Sequence, residues 1–168
     1  MVWFRSTPIA DESVFTTASH VYSYTMHLKA DPDEVWAGLT ADRPLAWCRP
    51  ISVHYTSPRP FGVGTTREVR SMGVALRERF FIWDEQQRRH AFTVEQANVP
   101  GLGTLAEDYQ VDPAEGGARF LWRFALNGAP RLSAGMKVLA PVQRKVVFNR
   151  LIRDTEQHFG TLRATEAA

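Results

Sequence analysis

The sequence predicts an α+β fold in which one antiparallel sheet of seven strands packs against a long C-terminal helix. Between residues 20 and 126, apolar residues mostly alternate with polar ones, and this period of two indicates β-strands. Short polar or glycine-containing segments separate these runs, which favours hairpins and an antiparallel order. After residue 130 the apolar residues recur every three or four positions instead, as they do on one face of a helix.

Length and composition are typical of one globular domain with its own core. The chain has 168 residues, of which 44% are hydrophobic and 23% are charged, and this excludes a disordered chain, a collagen-like repeat and a coiled coil. The net charge of +2 provides no general attraction for nucleic acid, so we expect no nucleic-acid partner. Ten Phe, five Trp and four Tyr indicate a bulky core or a cavity lined by rings.

Cysteine usage and hydropathy bear on where the protein works. Cys48 is the only cysteine, so no internal disulfide can form, and a cytoplasmic location is favoured over secretion. The N-terminal residues contain no apolar run of the kind that a signal peptide needs. No stretch of about eighteen apolar residues occurs, so we expect no integral membrane association. The sequence does not specify an oligomeric state.

The chain divides into an N-terminal arm and one folded domain. Residues 1–19 show no sustained periodicity, and we interpret them as an extended arm docked by Trp3 and Phe4. Residues 20–168 carry the periodic patterns and form the domain.

The domain begins with a strand and two short helices. Val21–Lys29 alternates apolar and polar residues and predicts the first strand. Asp31 can cap a short helix whose first residue is Pro32. Pro44 opens a second short helix that runs through Trp47. Both helices therefore lie between the first and second strands.

Six strands at hairpin spacing follow, and a helix ends the chain. The six segments are 51–56, 65–72, 74–83, 89–96, 104–111 and 118–126. Their short connections predict an antiparallel meander. The longest helix covers roughly 141–163, where Phe148, Leu151 and Phe159 share one face. Pro141 must break, kink or restart the helical pattern that precedes it.

Local motifs accompany this order of elements. They are DPDEVW at residues 31–36, Trp47, GTTR at residues 64–67, Gly73, Glu78, WD at residues 83–84, and GGAR at residues 116–119 followed by Trp122. Together, the order and the motifs resemble the helix-grip fold of the SRPBCC superfamily, which includes START-type lipid-binding domains and the polyketide cyclase/dehydrase and lipid transport family. The resemblance covers about residues 20–163. It implies a curved sheet wrapped around the long C-terminal helix, with a largely apolar cavity between them.

The resemblance also implies a range of functions. Members bind lipids, polyketides and similar molecules, some catalyse cyclisation or dehydration, and some helix-grip relatives are protein-interaction modules. We favour a carrier or sensor of a small hydrophobic ligand of lipid, polyketide or aromatic type, because the pattern indicates a cavity more clearly than a catalyst. A polyketide cyclase/dehydratase-type enzyme and a protein-interaction module remain the alternatives.

Alternation along the strands predicts which side chains face the helix. Glu78 shares a face with Phe80 and Ile82, and Arg67 on the preceding strand can pair with it. For this ion pair we favour a structural or ligand-orienting role. The candidate ligand-binding residues are Arg67, Glu78, Phe80, Phe92, Tyr109, Trp122, Phe124 and Phe148.

Three residues would carry the chemistry if the protein is an enzyme. Glu107 faces inward without a basic partner in its own strand, and burial raises the pKa of such a carboxyl group into the range that suits general acid–base catalysis. Tyr109 and His90 are the neighbours best able to share a proton with Glu107. The alternative for His90 is a place at a strand edge on the surface.

We expect neither a metal nor a cofactor. The five histidines show no H-x-x-x-H or H-E-x-x-H spacing. The glycine-rich segments at 62–64 and 101–103 do not complete a phosphate-binding or dinucleotide-binding motif, so we interpret them as turns.

Overall fold

The computed structural model describes residues 4–99, 102–128 and 148–162, which form eight β-strands and three α-helices. The strands are β1 (Arg5–Ser6), β2 (His20–Leu28), β3 (Ser52–Tyr55), β4 (Thr66–Ser71), β5 (Val74–Asp84), β6 (Arg89–Ala97), β7 (Leu102–Ala114) and β8 (Gly117–Gly128). The helices are α1 (Val14–Thr17), α2 (Pro32–Thr40) and α3 (Asn149–Phe159).

Seven of these strands lie side by side in the order β2–β8–β7–β6–β5–β4–β3. Every neighbouring pair in this order is antiparallel, which confirms the predicted α+β fold with its antiparallel sheet and C-terminal helix. Because β2 pairs with β8, the first strand of the domain lies beside the last one. The short β1 is an eighth strand outside this order and pairs with β6.

One face of the sheet, here called the inner face, packs against α2 and α3 and contains the main core. Asp31 Oδ1 accepts a hydrogen bond from the amide of Asp33 at 2.8 Å, so α2 begins with the predicted cap. The apolar side of α2 buries Val35 and Leu39 completely. From α3, Leu151, Thr155 and Phe159 are buried.

The opposite, outer face of the sheet is covered by residues that we expected to form an extended arm. Instead, the segment contains β1 and the short helix α1. Val14 and Phe15 of α1 pack against Ala91, Ala106 and Ala125, whose small side chains let the helix lie close to the sheet. Phe4 lies beneath the guanidinium of Arg77 at 4.1 Å, whereas Trp3 is outside the described residues.

The helices differ from the prediction in two places. Residues 44–47, where we expected a second short helix, form a turn, and Leu45 has a positive φ of 58°. The C-terminal helix ends at Phe159, before the expected residue 163, because Gly160 takes a φ of +73° and Thr161 then pairs with Leu28. The first part of that helix, with Pro141, is outside the described residues. No helix among the described residues is long and apolar enough to cross a membrane.

A β-bulge changes the predicted face of one residue. We expected Ile82 to share the inner face with Glu78 and Phe80. The register between β5 and β6 shifts between Phe80 and Ile82, so Phe81 and Ile82 pack on the outer face. Trp83 then packs against the core of the inner face.

Candidate functional site

Two rows of side chains cross the inner face of the sheet. The first row is Phe80, Phe92, Glu107, Phe124 and Tyr22, which face one another on β5, β6, β7, β8 and β2. The second row is Trp83, His90, Tyr109, Trp122 and Tyr24 on the same strands. Because directly opposite side chains in a sheet are about 5 Å apart, the few polar groups in these rows are surrounded by rings.

Arg67 and Glu78 form the predicted ion pair beside the first row. Arg67 Nε donates to Glu78 Oε2 at 2.6 Å, and the side chains are only 1% and 2% exposed. The guanidinium also lies 4.0 Å from the centre of the Phe92 ring. Burial acts to lower the pKa of Arg67, but the negative charge of Glu78 outweighs burial and raises the pKa, so Arg67 stays charged. Burial raises the pKa of Glu78 and Arg67 opposes that shift.

Next to this ion pair, two buried polar atoms make no well-formed hydrogen bond to the described residues. They are Arg67 Nη1 and the hydroxyl oxygen of Tyr55, which faces Arg67 across β3 and β4 and is near enough to that side chain for a weak hydrogen bond. Buried polar groups in folded proteins are nearly always paired, so such atoms call for a water or a ligand. Both groups can donate a hydrogen bond, so an oxygen acceptor would suit them.

Glu107 is a half-buried carboxyl group that accepts two hydrogen bonds. The Tyr109 hydroxyl and the Trp122 indole N–H each donate to Glu107 Oε2 at 2.9 Å. Burial raises the pKa of Glu107 to about 7, and the negative charge of Glu78 adds to the increase. Burial, followed by the charge of Glu107, raises the pKa of Tyr109 well above 10, so its hydroxyl keeps its proton.

His90 is completely buried and surrounded by aromatic rings, which excludes a surface position at a strand edge. The centres of the Trp36, Trp83 and Tyr109 rings lie 5.2, 5.3 and 4.8 Å from its own. Neither ring nitrogen has a hydrogen-bond partner among the described residues, so the structure does not join His90 to Glu107 or Tyr109 by a hydrogen bond. Burial and the charge of Arg67 hold the pKa of His90 well below 6.5, so the ring is neutral.

The aromatic residues that we predicted to bind a ligand fall into two groups. Phe80, Phe92, Tyr109 and Trp122 are at most 1% exposed, so they form a closed part of the inner face. Phe124 is equally buried, and it meets the half-buried Phe148 at the start of the C-terminal helix, with ring centres 4.2 Å apart. Around this contact the side chains are only half-buried: Tyr22, Glu107, Leu126 and Phe148. The predicted wall formed by residues 141–147 is outside the described residues.

This arrangement of sheet, helix and inward polar groups agrees with a comparison to known families. Residues 19–155 match the model of the family described as polyketide cyclase / dehydrase and lipid transport. The chain belongs to this family. The predicted resemblance is thereby confirmed, and family and fold together suggest binding of a hydrophobic ligand.

Similar proteins match this member of the cyclase and lipid transport family over most of its sequence. Uncharacterised proteins of Mycobacterium bovis and Mycobacterium tuberculosis are each 32% identical over 146 residues, which is 84% of this chain and 86% of theirs. Among solved structures, a protein from Thermus thermophilus matches with a TM-score of 0.67 at 15% identity, covering 83% of this chain and 97% of that one. Major latex-like protein 151 from Panax ginseng matches with a TM-score of 0.64 at 16% identity, covering 84% and 97%. At these identities the two structures show the fold alone.

Sequence reasoning missed several residues around the polar groups. Tyr55 lies on the inward side of a strand whose alternation the sequence already showed, so its position beside Arg67 could have been found. The inward position of Trp83 could not have been found, because the β-bulge after Phe80 reverses the alternation along β5 at that point. Glu85 accepts the indole N–H groups of Trp36 and Trp83, each at 2.6 Å, and so links α2 to the end of β5.

The candidate site contains side chains that can form hydrogen bonds and exchange a proton. Within residues 4–99, 102–128 and 148–162, no group of three His, Cys, Asp or Glu side chains lies close enough to hold a metal ion. The site provides a charged guanidinium, a neutral imidazole and a carboxyl group that changes protonation near neutral pH.

Proposed function

We propose that the protein is a carrier or sensor of a small hydrophobic ligand, which binds between the inner face of the sheet and the C-terminal helix. The observation that supports this proposal best is the group of half-buried side chains, Tyr22, Leu126 and Phe148, beside the otherwise closed aromatic face. Aromatic walls with a few polar groups are typical of small-molecule sites. A cytoplasmic location belongs to the same proposal, because the lone Cys48 is buried and free.

The polar atoms of the site favour a ligand with an uncharged oxygen. Arg67 Nη1 and the Tyr55 hydroxyl make no well-formed hydrogen bond to the described residues, so a carbonyl or hydroxyl oxygen of a ligand can accept from them. A carboxylate suits the site less well, because Glu78 already neutralises Arg67 and Glu107 adds partial negative charge at pH 7. This favours ketones, alcohols and phenols over free fatty acids.

Binding can be tested without knowing the natural ligand. Native mass spectrometry of the purified protein should reveal a copurified organic molecule, and titration with the uncharged fluorophore N-phenyl-1-naphthylamine should saturate at one molecule per chain. Phe148→Ala should weaken binding of the fluorophore about tenfold, because the ligand loses a ring contact. Phe15→Ala, the same change on the outer face, is the control and should leave the affinity unchanged. No copurified molecule together with no saturable binding would contradict the proposal.

The preference for an uncharged oxygen has its own test. We expect 2-naphthol to compete with the fluorophore better than 2-methylnaphthalene or 2-naphthoate, which have the same ring system. The variant Arg67→Met/Glu78→Leu removes both charges together but keeps the Tyr55 hydroxyl, so its preference for 2-naphthol over 2-methylnaphthalene should be smaller than that of wild type. A wild-type preference for naphthoate would contradict the assignment of an uncharged oxygen.

A second candidate, an enzyme of the cyclase or dehydratase type, is favoured by one observation. Glu107 has a pKa of about 7 and holds the Tyr109 hydroxyl at 2.9 Å, as a general acid–base group near neutral pH requires. Once a ligand is found, wild type and Glu107→Gln should be incubated with it and the products followed by mass spectrometry. An enzyme should lose about 10²–10⁴-fold in rate while keeping its ligand affinity. No conversion by wild type favours the carrier.

A further inference from the structure

The tip of the β4–β5 hairpin exposes an apolar side chain at a position that does not suit it. Met72 and Gly73 are the two residues between the paired Ser71 and Val74, and both have positive φ, at 41° and 85°. Two-residue hairpin turns of this kind favour Asn-Gly or Asp-Gly, because most side chains are strained at positive φ. Met72 is also 82% exposed, so it gains little from burial. Neither turn geometry nor packing explains a methionine here.

The hairpin is held firmly at its base, so Met72 is presented by an ordered turn. The side chain of Asn98 accepts from the amide of Ala75 at 2.7 Å and donates to the carbonyl of Gly73 at 2.7 Å. The Ser71 hydroxyl donates to the carbonyl of Pro50 at 2.8 Å.

A groove beside the hairpin tip has no acidic side chain in its lining. It is formed by residues 49–52 and 70–75, among them Arg49 and Arg70. Val74 is 37% exposed, and Arg49 is exposed as well. Glu68 pairs with both Arg70 and Arg77, and Asp154 accepts from the backbone amide of Arg49 at 3.1 Å, so three arginines against two carboxylates leave one positive charge in excess.

We propose that the β4–β5 hairpin tip docks the protein onto membrane surfaces that contain anionic lipids, with Met72 entering the interface and Arg49 and Arg70 close to the headgroups. An exposed apolar side chain flanked by cations suits such a surface, where apolar insertion adds to attraction for anionic headgroups. A protein partner fits less well, because two exposed apolar side chains are far fewer than the roughly 20–30 residues a side of a stable interface. The docking does not depend on the ligand proposed above, although it would bring a hydrophobic-ligand carrier to a lipid surface.

Vesicle cosedimentation tests the proposal. We expect the wild-type protein to sediment with vesicles of phosphatidylcholine and phosphatidylglycerol and to bind pure phosphatidylcholine more weakly. Binding should fall as sodium chloride rises from about 0.1 M to about 1 M, because salt screens exposed charges. Met72→Asn should reduce vesicle binding roughly tenfold, since it removes the side chain that enters the lipid. Arg49→Gln should reduce it about fivefold.

Matched variants separate docking from folding. Met72→Asn creates the preferred Asn-Gly turn, so its melting temperature should be equal to or above that of wild type while vesicle binding falls. Val63→Asn changes another exposed apolar residue, 69% exposed in the β3–β4 loop, and should leave vesicle binding unchanged. The proposal is overturned if wild type does not sediment with the anionic vesicles, or if Val63→Asn and Met72→Asn weaken binding equally. Dimerisation that Met72→Asn abolishes, without vesicle binding, would identify a second copy as the occupant instead and also overturn it.

Discussion

Arg67 on β4 and Glu78 on β5 face each other in register, and their side chains meet at 2.6 Å in the interior of the protein. Phe92 lies directly below the guanidinium, with its ring centre 4.0 Å away. Removing both charges from water is costly, and the pair offsets that cost only while both partners are present. The two residues are therefore energetically coupled.

This coupling predicts a non-additive mutant series. Arg67→Met should lower the free energy of unfolding by roughly 3–5 kcal/mol, because it leaves Glu78 buried without its partner. Arg67→Met/Glu78→Leu should lose less than Arg67→Met alone, since no buried charge then remains. Urea denaturation of wild type, both single variants and the double variant measures the coupling. Additive losses would show that the two side chains contribute independently.

The raised pKa of Glu107 predicts how the stability of the folded protein depends on pH. Burial raises its pKa to about 7 from 4.5, so the folded protein binds a proton that the unfolded chain releases between these values. The resulting stabilisation is fully present below about pH 4.5 and is lost as the pH rises through 7. Relative to Glu107→Gln, wild type should lose on the order of 1–3 kcal/mol of stability between about pH 5 and about pH 8. Parallel stability curves for the two proteins would contradict the raised pKa.

The outer-face contacts of α1 predict that the N-terminal segment contributes to stability. Phe15 is 8% exposed, packs against Phe81 and lies beneath the guanidinium of Arg123 at 5.1 Å. Phe15→Ala should lower the free energy of unfolding by about 2–4 kcal/mol, since it opens a cavity between α1 and the sheet. Ile9→Ala is the control: Ile9 is 72% exposed, and its loss should change stability by less than about 0.5 kcal/mol. Equal effects would indicate that the segment is a loosely attached arm.

Helix α2 packs so closely against the Trp47 ring that Gly38 has no room for a side chain. A Cβ atom at Gly38 would lie 2.8 Å from Cζ3 of Trp47, and the Trp47 indole donates to Thr155 Oγ1 at 2.9 Å. Gly38→Ala should therefore destabilise by about 1–3 kcal/mol, although alanine favours a helix by about 1 kcal/mol. Gly62→Ala, where a Cβ meets nothing within 4 Å, should be nearly neutral. The melting temperatures of the two variants measure the difference. A higher melting temperature for Gly38→Ala than for wild type would contradict the expected clash with Trp47.

Much of the fold could be predicted because it follows from local patterns. Alternation and hairpin spacing indicated the strands, and the Asp31-Pro32 cap indicated the start of α2. The pairing of Arg67 with Glu78 was also accessible, because adjacent strands of a meander bring inward residues together. Such features depend on residues close in sequence, whose backbone period decides which face they occupy.

The sequence alone determined the order of the seven strands of the main sheet, the positions of α2 and the C-terminal helix in that order, the family and the inward direction of Glu107. Only the tertiary structure decided that Ile82 packs outward and that α1 lies on the outer face, because a bulge and a long-range contact leave no periodic signal. It also decided that the Tyr55 hydroxyl lies beside the Arg67–Glu78 ion pair, where Arg67 Nη1 makes no well-formed hydrogen bond to the described residues. The partner of a side-chain hydrogen bond depends on the distances between residues of different strands, and those distances are set by the folded sheet.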